Sequence, residues 1–182
     1  MTARGIALAV ALFGFVTPAS AHRLDEYLQA ATIAVASDRV ELHLRLTPGA
    51  EVADAVIAGI DSDGDGALSQ VEWDSYAAGV REELSLEADG SALPLQLTGG
   101  SFADVNQIRR GEAAILLDFE ANLPPANGPR SLTFENRHRS GIAVYMVNAL
   151  SPHDPAIRIL SQHRSPEQSS WRLDFVVERP GQ

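Results

Sequence analysis

The chain has no cysteine and no lysine among its 182 residues. Without cysteine there can be no disulfide, no thiolate metal ligand and no thiol nucleophile. Without lysine, all 14 basic side chains are arginines, set against 24 carboxylates, for a formal charge of −10. An acidic chain of this kind lacks the basic patch that neutralises phosphates, so no nucleic-acid partner is expected. It suits cations better. Motifs of catalysis are missing too: there is no Gly-x-Ser-x-Gly, no His-Glu-x-x-His, no phosphate loop and no Ser-His-Asp spacing. The expectation is a protein that is not an enzyme. No internal repeat or low-complexity run occurs. Past the N-terminus, no stretch is apolar enough to span a bilayer. Hydrophobic residues still make up 45% of the chain, enough for the core of one domain.

The N-terminus has the layout of an export signal. Arg4 precedes an apolar run over residues 5–16, and Thr17-Pro18-Ala19-Ser20-Ala21 ends in Ala-x-Ala. Cleavage after Ala21 is expected to leave His22 first, in a periplasmic or secreted protein that does not itself span the membrane.

One stretch states a chemistry. Residues 61–72 read Asp-Ser-Asp-Gly-Asp-Gly-Ala-Leu-Ser-Gln-Val-Glu. This meets every defined position of the EF-hand calcium pattern, D-x-[DN]-x-[DN]-G-x5-E. Calcium takes six to eight hard oxygen ligands. Asp61, Asp63 and Asp65 would each give a carboxylate oxygen, Ala67 its carbonyl, Ser69 a direct or water-borne oxygen, and Glu72 both carboxylate oxygens. Gly66 permits the sharp turn. Magnesium is the competing ion, but it demands stricter octahedral geometry, and a two-oxygen glutamate favours calcium. The loop is single and exported, so weak affinity is expected, about 10⁻⁴ to 10⁻³ M, with a mainly structural role.

The flanks fit the motif. Val52, Val56 and Ile60 share one helical face, with Thr47-Pro48 as the expected helix start. Trp73, Tyr76, Ala77, Val80 and Leu84 share another. The helix-loop-helix unit is expected over residues 48–84. Elsewhere the period is two. Val40, Leu42, Leu44 and Leu46 alternate with Arg39, Glu41, His43 and Arg45, which reads as a strand with one wet face. Leu84, Leu86 and Ala88 lead to Asp89-Gly90, a hairpin turn, then Leu93, Leu95 and Leu97, with Pro94 marking an edge strand. Gly99-Gly100 reads as a loop. Further strands are expected near residues 113–121, 131–136, 142–148, 156–162 and 171–178. The fold class expected is mainly β: an Ig-like β-sandwich over residues 22–182, interrupted by the EF-hand between its second and third strands.

Other candidates are thinner. An N-terminal His22 offers an amine and an imidazole, and a second histidine (His43, His138, His153 or His163) would let it hold copper or nickel. His138, within Asn136-Arg137-His138-Arg139, reads as a solvated loop between strands.

Two further stretches carry a resemblance: residues 21–28, Ala-His-Arg-Leu-Asp-Glu-Tyr-Leu, and Leu132-Thr133-Phe134-Glu135-Asn136-Arg137-His138 followed by Val144-Tyr145-Met146-Val147-Asn148. With the placing of the loop, they resemble exported bacterial proteins that carry one EF-hand. These are similar to the soluble N-terminal region of HupE/UreJ-type hydrogenase and urease accessory membrane proteins. In those relatives transmembrane helices follow, and the proteins are linked with nickel or cobalt handling. The resemblance implies a periplasmic β-rich domain. It supplies no ligand of its own. Alternative expectations beside it are an envelope or membrane-protein interaction module, or a copper or nickel accessory protein that uses His22.

Overall fold

The computed structural model describes residues 24–178. The expected signal segment, residues 1–21, and His22 lie outside them. In chain order the elements are β1 (Tyr27–Val35), β2 (Arg39–Pro48), α1 (Ala53–Ala58), α2 (Gln70–Glu82), β3 (Leu84–Ala88), β4 (Ser91–Ala92), β5 (Gln96–Ser101), α3 (Val105–Arg109), β6 (Ile115–Asn122), β7 (Gly128–Asn136), β8 (Ala143–Ala149), β9 (Ile157–Arg164) and β10 (Ser170–Val177). The chain is mainly β. Two five-stranded sheets run β5-β6-β2-β1-β8 and β4-β3-β7-β10-β9. One hydrophobic cluster draws on both sheets, an arrangement compatible with a β-sandwich.

Alternation decides which face of each strand is buried. In β2, Val40, Leu42, Leu44 and Leu46 are buried while His43 and Arg45 are exposed. Burying a side chain of that size stabilises by about 1.5–3 kcal/mol. A one-residue slip against β1 would expose the whole row, so the pairing of Val35 with Val40 through Tyr27 with Pro48 is strongly specified. Trp171, Leu173 and Phe175 of β10 face Phe134 and Leu132 of β7 in the same way. All connections but one between paired strands are antiparallel; β8 runs parallel to β1.

Three local expectations are corrected. Thr47-Pro48 does not start a helix: the period-two pattern of β2 carries on through both, and Pro48 is buried. Helix α1 begins only at Ala53. The alternating Leu93, Leu95 and Leu97 do not form one strand. The Asp89-Gly90 turn has left-handed backbone at both residues (φ 53° and 80°), as a tight hairpin requires. But β4 stops at Ala92, before Pro94, and the chain crosses to the other sheet as β5. Gly99-Gly100 lies inside β5, where the register with β6 shifts. Helix α3 has no apolar stripe long enough to read; Asp104 caps it by accepting from the Asn106 and Gln107 amides at 2.9 and 3.2 Å.

Gly100 fixes how α2 meets the sheet. A Cβ there would stand 2.3 Å from the Leu116 carbonyl oxygen and 2.8 Å from Trp73 Cζ2. Only a residue without a side chain lets the Trp73 ring lie on β5. Trp73 also meets Phe102 edge-on, with ring centres 6.0 Å apart. The segment between α1 and α2 is thereby held at one end of the sheets.

Candidate metal site

The loop between α1 and α2 is anchored at both ends. Ile60, just before it, is buried, and Leu68 within it packs against the core. Between these anchors the chain is exposed and its shape is set by carboxylates. Asp61 Oδ1 accepts from the Gly64 amide at 2.8 Å and Oδ2 from the Gly66 amide at 3.0 Å. Asp63 Oδ1 accepts from Asp65 N at 3.1 Å, and Asp65 Oδ1 from Ala67 N at 2.8 Å. These are short side-chain turns of the kind Asp makes with the backbone two residues on. They curl the chain so that one oxygen from each of Asp61, Asp63 and Asp65 lies within 4.8 Å of the others. Among the described residues this is the only group of three or more His, Asp or Glu side chains so placed.

Glu72 stands apart from that group. It is 4% exposed. Its Oε2 accepts from the Ser69 amide and hydroxyl, both at 2.9 Å. Its Oε1 accepts from the Ser62 amide at 2.5 Å and the Ser62 hydroxyl at 3.1 Å. The Ser69 amide and hydroxyl, then those of Ser62, outweigh burial and hold the carboxyl down to about 2. Ser69 in turn caps α2, completing a capping box. Glu72 therefore ties the last turn of the loop back to its first residues, as an anion.

The six residues expected as ligands are thus divided. Asp61, Asp63 and Asp65 converge. Ser69 and Glu72 hold each other and the loop's start. Ala67 contributes its amide to Asp65. The donor set is wholly oxygen, hard and anionic, which fits calcium or magnesium and not a soft metal. An ion held by the three aspartates would supply the positive charge that their mutual repulsion lacks.

A second cluster lies behind the loop, with little in the local residue pattern to announce it. His138 is buried, not solvated as expected. Tyr27 and Tyr76 hydroxyls are 2.6 Å apart, and the Tyr76 hydroxyl is 3.1 Å from His138 Nε2. His138 Nδ1 meets Glu83. The proton assignment that satisfies each atom has Tyr27 donating to Tyr76, Tyr76 to Nε2, and Nδ1–H to Glu83. Burial lowers the His138 imidazole below its usual range, against the pull of Glu83. Burial likewise raises Tyr76 to about 12. Gln29 joins the row: its amide donates to the His138 carbonyl at 2.9 Å and its oxygen accepts from Asn136 at 2.8 Å. These bonds tie α2 and the 137–142 loop to β1. Gln29 was the one available signal, a polar residue on the face that also carries Tyr27 and Ala31.

Among the described residues, no histidine joins a group of three or more possible metal ligands. His43 is exposed and 2.7 Å from Asp118. His163 lies 3.9 Å from Asp174. Among the described residues no helix is long and apolar enough to cross a membrane. No family model matches the chain, and neither a curated protein nor a solved structure matches it.

Proposed function

We propose that this chain is an exported calcium-binding protein, an Ig-like β-sandwich in which an inserted EF-hand unit, with its helices at Ala53–Ala58 and Gln70–Glu82, binds one calcium ion. The observation that carries the reading is the convergence of Asp61, Asp63 and Asp65 oxygens within 4.8 Å, in a loop whose twelfth residue is a glutamate. Ala67, Ser69 and Glu72 complete the proposed ligand set. Glu72 is already ionised and already at the loop's mouth, so it needs no deprotonation to join. The role is mainly structural. The loop joins α2, which carries Tyr76, to α1, so an ion that stiffens it also stiffens the docking of the helices on the sheets. The resemblance to exported single-EF-hand proteins and to the soluble region of HupE/UreJ-type proteins belongs to this reading, with a periplasmic or secreted location.

At ten times its dissociation constant, calcium adds about 1.4 kcal/mol to stability. For a domain of this size that raises Tm by about 3–6 °C. The test is thermal unfolding with calcium and with the metal stripped, for the natural chain and Asp63→Ala. A calcium shift in the first and none in the second supports the reading. Equal shifts in both refute it.

A second reading makes the sheets an interaction module for an envelope partner. It is supported by Val144 and Met146, exposed on β8, the edge strand of its sheet. A transition-metal role through His22 rests on a residue outside those described.

A further inference from the structure

Beside the metal loop lies a cleft of about 400 Å³, walled by the end of α1, one side of α2 and the 137–142 loop. Gly59, Ser62, Ser75, Tyr76, His138 and Arg139 face it. Arg139 is unusual in three respects. Its backbone is left-handed, with φ 50°, which a long side chain adopts only under constraint. Ile142 and Ala143 amides impose that constraint by bonding to the Arg139 carbonyl at 3.0 and 3.1 Å. Its guanidinium lies over Gly59: a Cβ at Gly59 would stand 2.2 Å from Arg139 Nη2. And among the described residues no carboxylate pairs with it and no acceptor takes its hydrogen bonds.

The other arginines among the described residues differ. Arg39, Arg109, Arg110, Arg130, Arg137, Arg158 and Arg172 all have carboxylate partners. Arg164 bonds to Val147 and Asn148. Arg45 and Arg81 have no such partner but are exposed, whereas Arg139 is half-buried. A half-buried guanidinium stays charged and keeps five donors in a flat fork. That fork matches the two oxygens of a carboxylate.

We infer that this cleft binds a small carboxylate, with Arg139 as the group that receives it. The rest of the wall narrows the class. Glu72 is turned to loop amides and Glu83 to His138, while Glu82 stays exposed at the rim. Glu72, Glu82 and Glu83 line the same cleft, and three carboxylates there disfavour a dianion, a phosphate monoester included. They suit a monocarboxylate whose other end is cationic, such as a free amino acid with its ammonium group toward Glu82. A volume near 400 Å³ is at the small end of ligand sites. The site is separate from the proposed calcium ligands except through Glu72, and the inference does not depend on calcium being bound.

The test is titration of the isotope-labelled protein, with calcium held constant, followed by amide resonances. The probes are L-alanine, propanoate and inorganic phosphate. L-Alanine is expected to shift Gly59, Ser75 and Gly79 saturably, with half-saturation below about 10 mM. Arg139→Gly is expected to weaken it about tenfold or more by removing the fork. Glycine suits φ 50°, so this variant should keep its fold. Should it not, Gly59→Ala crowds the guanidinium out of place and is expected to weaken L-alanine likewise. Propanoate should bind more weakly than L-alanine. Linear, non-saturating shifts would overturn the inference, as would equal binding by Arg139→Gly. Phosphate equal to or tighter than L-alanine would mean an adventitious ion only.

Discussion

Replacing Gly100 by alanine should loosen the docking of α2, and the structure gives the size of the effect. The new Cβ meets the Leu116 carbonyl at 2.3 Å and the Trp73 ring at 2.8 Å. Leu116 belongs to β6, paired with Ser101 of β5. Its carbonyl cannot retreat without parting the two strands. Trp73 cannot retreat without losing Phe102. Overpacking of this kind costs about 1–3 kcal/mol, and occasionally more. The backbone at φ 152° adds strain of about 1 kcal/mol or more for any residue with a side chain. A loss of about 3 kcal/mol is expected, which lowers Tm by about 6–12 °C. Gly79→Ala is the matched control. It sits inside α2 with no atom within 4 Å of the added carbon, so alanine should stabilise by about 1 kcal/mol through helix propensity. Calorimetric unfolding of the two variants beside the natural chain measures both. If Gly100→Ala unfolds at the natural temperature, Trp73 does not lie on β5 as described, and the account of how the loop is held fails.

Three further outcomes are expected. Tyr76→Phe leaves the Tyr27 hydroxyl and His138 Nε2 without their shared partner, and should cost about 1–3 kcal/mol in urea unfolding; a change under 0.5 kcal/mol would mean that the hydroxyl row contributes nothing. Ser69→Ala removes the cap of α2 and one tie to Glu72, and should cost about 1 kcal/mol, with Ser69→Thr close to neutral in the same assay. The third concerns pH. The buried imidazole of His138 is depressed, first by burial and further by Arg139, against Glu83. Below about 6.5 the unfolded chain takes up a proton that the folded one resists, so stability is full above that pH and falls as pH drops toward the folded value. Urea midpoints should decline as pH falls below about 6.5 in the natural chain, and decline less in His138→Gln. Glu72, held down to about 2, adds its own loss only below about pH 4.5, a separate window.

The strands were readable where one face is wet. Alternation in β2 and β3 survives intact because burial on one side and water on the other leave a period of two. It misled at Leu93 to Leu97, where the chain changes sheets at Pro94 and the same period serves two different surfaces. It also hid the end of β2: Thr47-Pro48 carries helix-start chemistry, but position in the alternation prevailed. Within the candidate site, Asp61, Asp63 and Asp65 were legible because their spacing is itself the chemistry. Ser69 and Glu72 were legible as loop positions for the same reason. The Tyr27–Tyr76–His138–Glu83 row was not. Its members lie 49, 62 and 55 residues apart along the chain, and only the meeting of α2, the start of β1 and the 137–142 loop brings them together. Arg139 could not be told from Arg137 by sequence, since what sets it apart is a missing partner combined with half-burial.

The central claim is that residues 61–72 bind one calcium ion. Isothermal titration of the chain lacking residues 1–21 tests it most directly. The account predicts one ion per chain, with a dissociation constant of about 10⁻⁴ to 10⁻³ M, and no detectable binding once Asp61→Ala and Glu72→Ala are combined. Absence of binding at several millimolar calcium, or binding unchanged in the double variant, would contradict it.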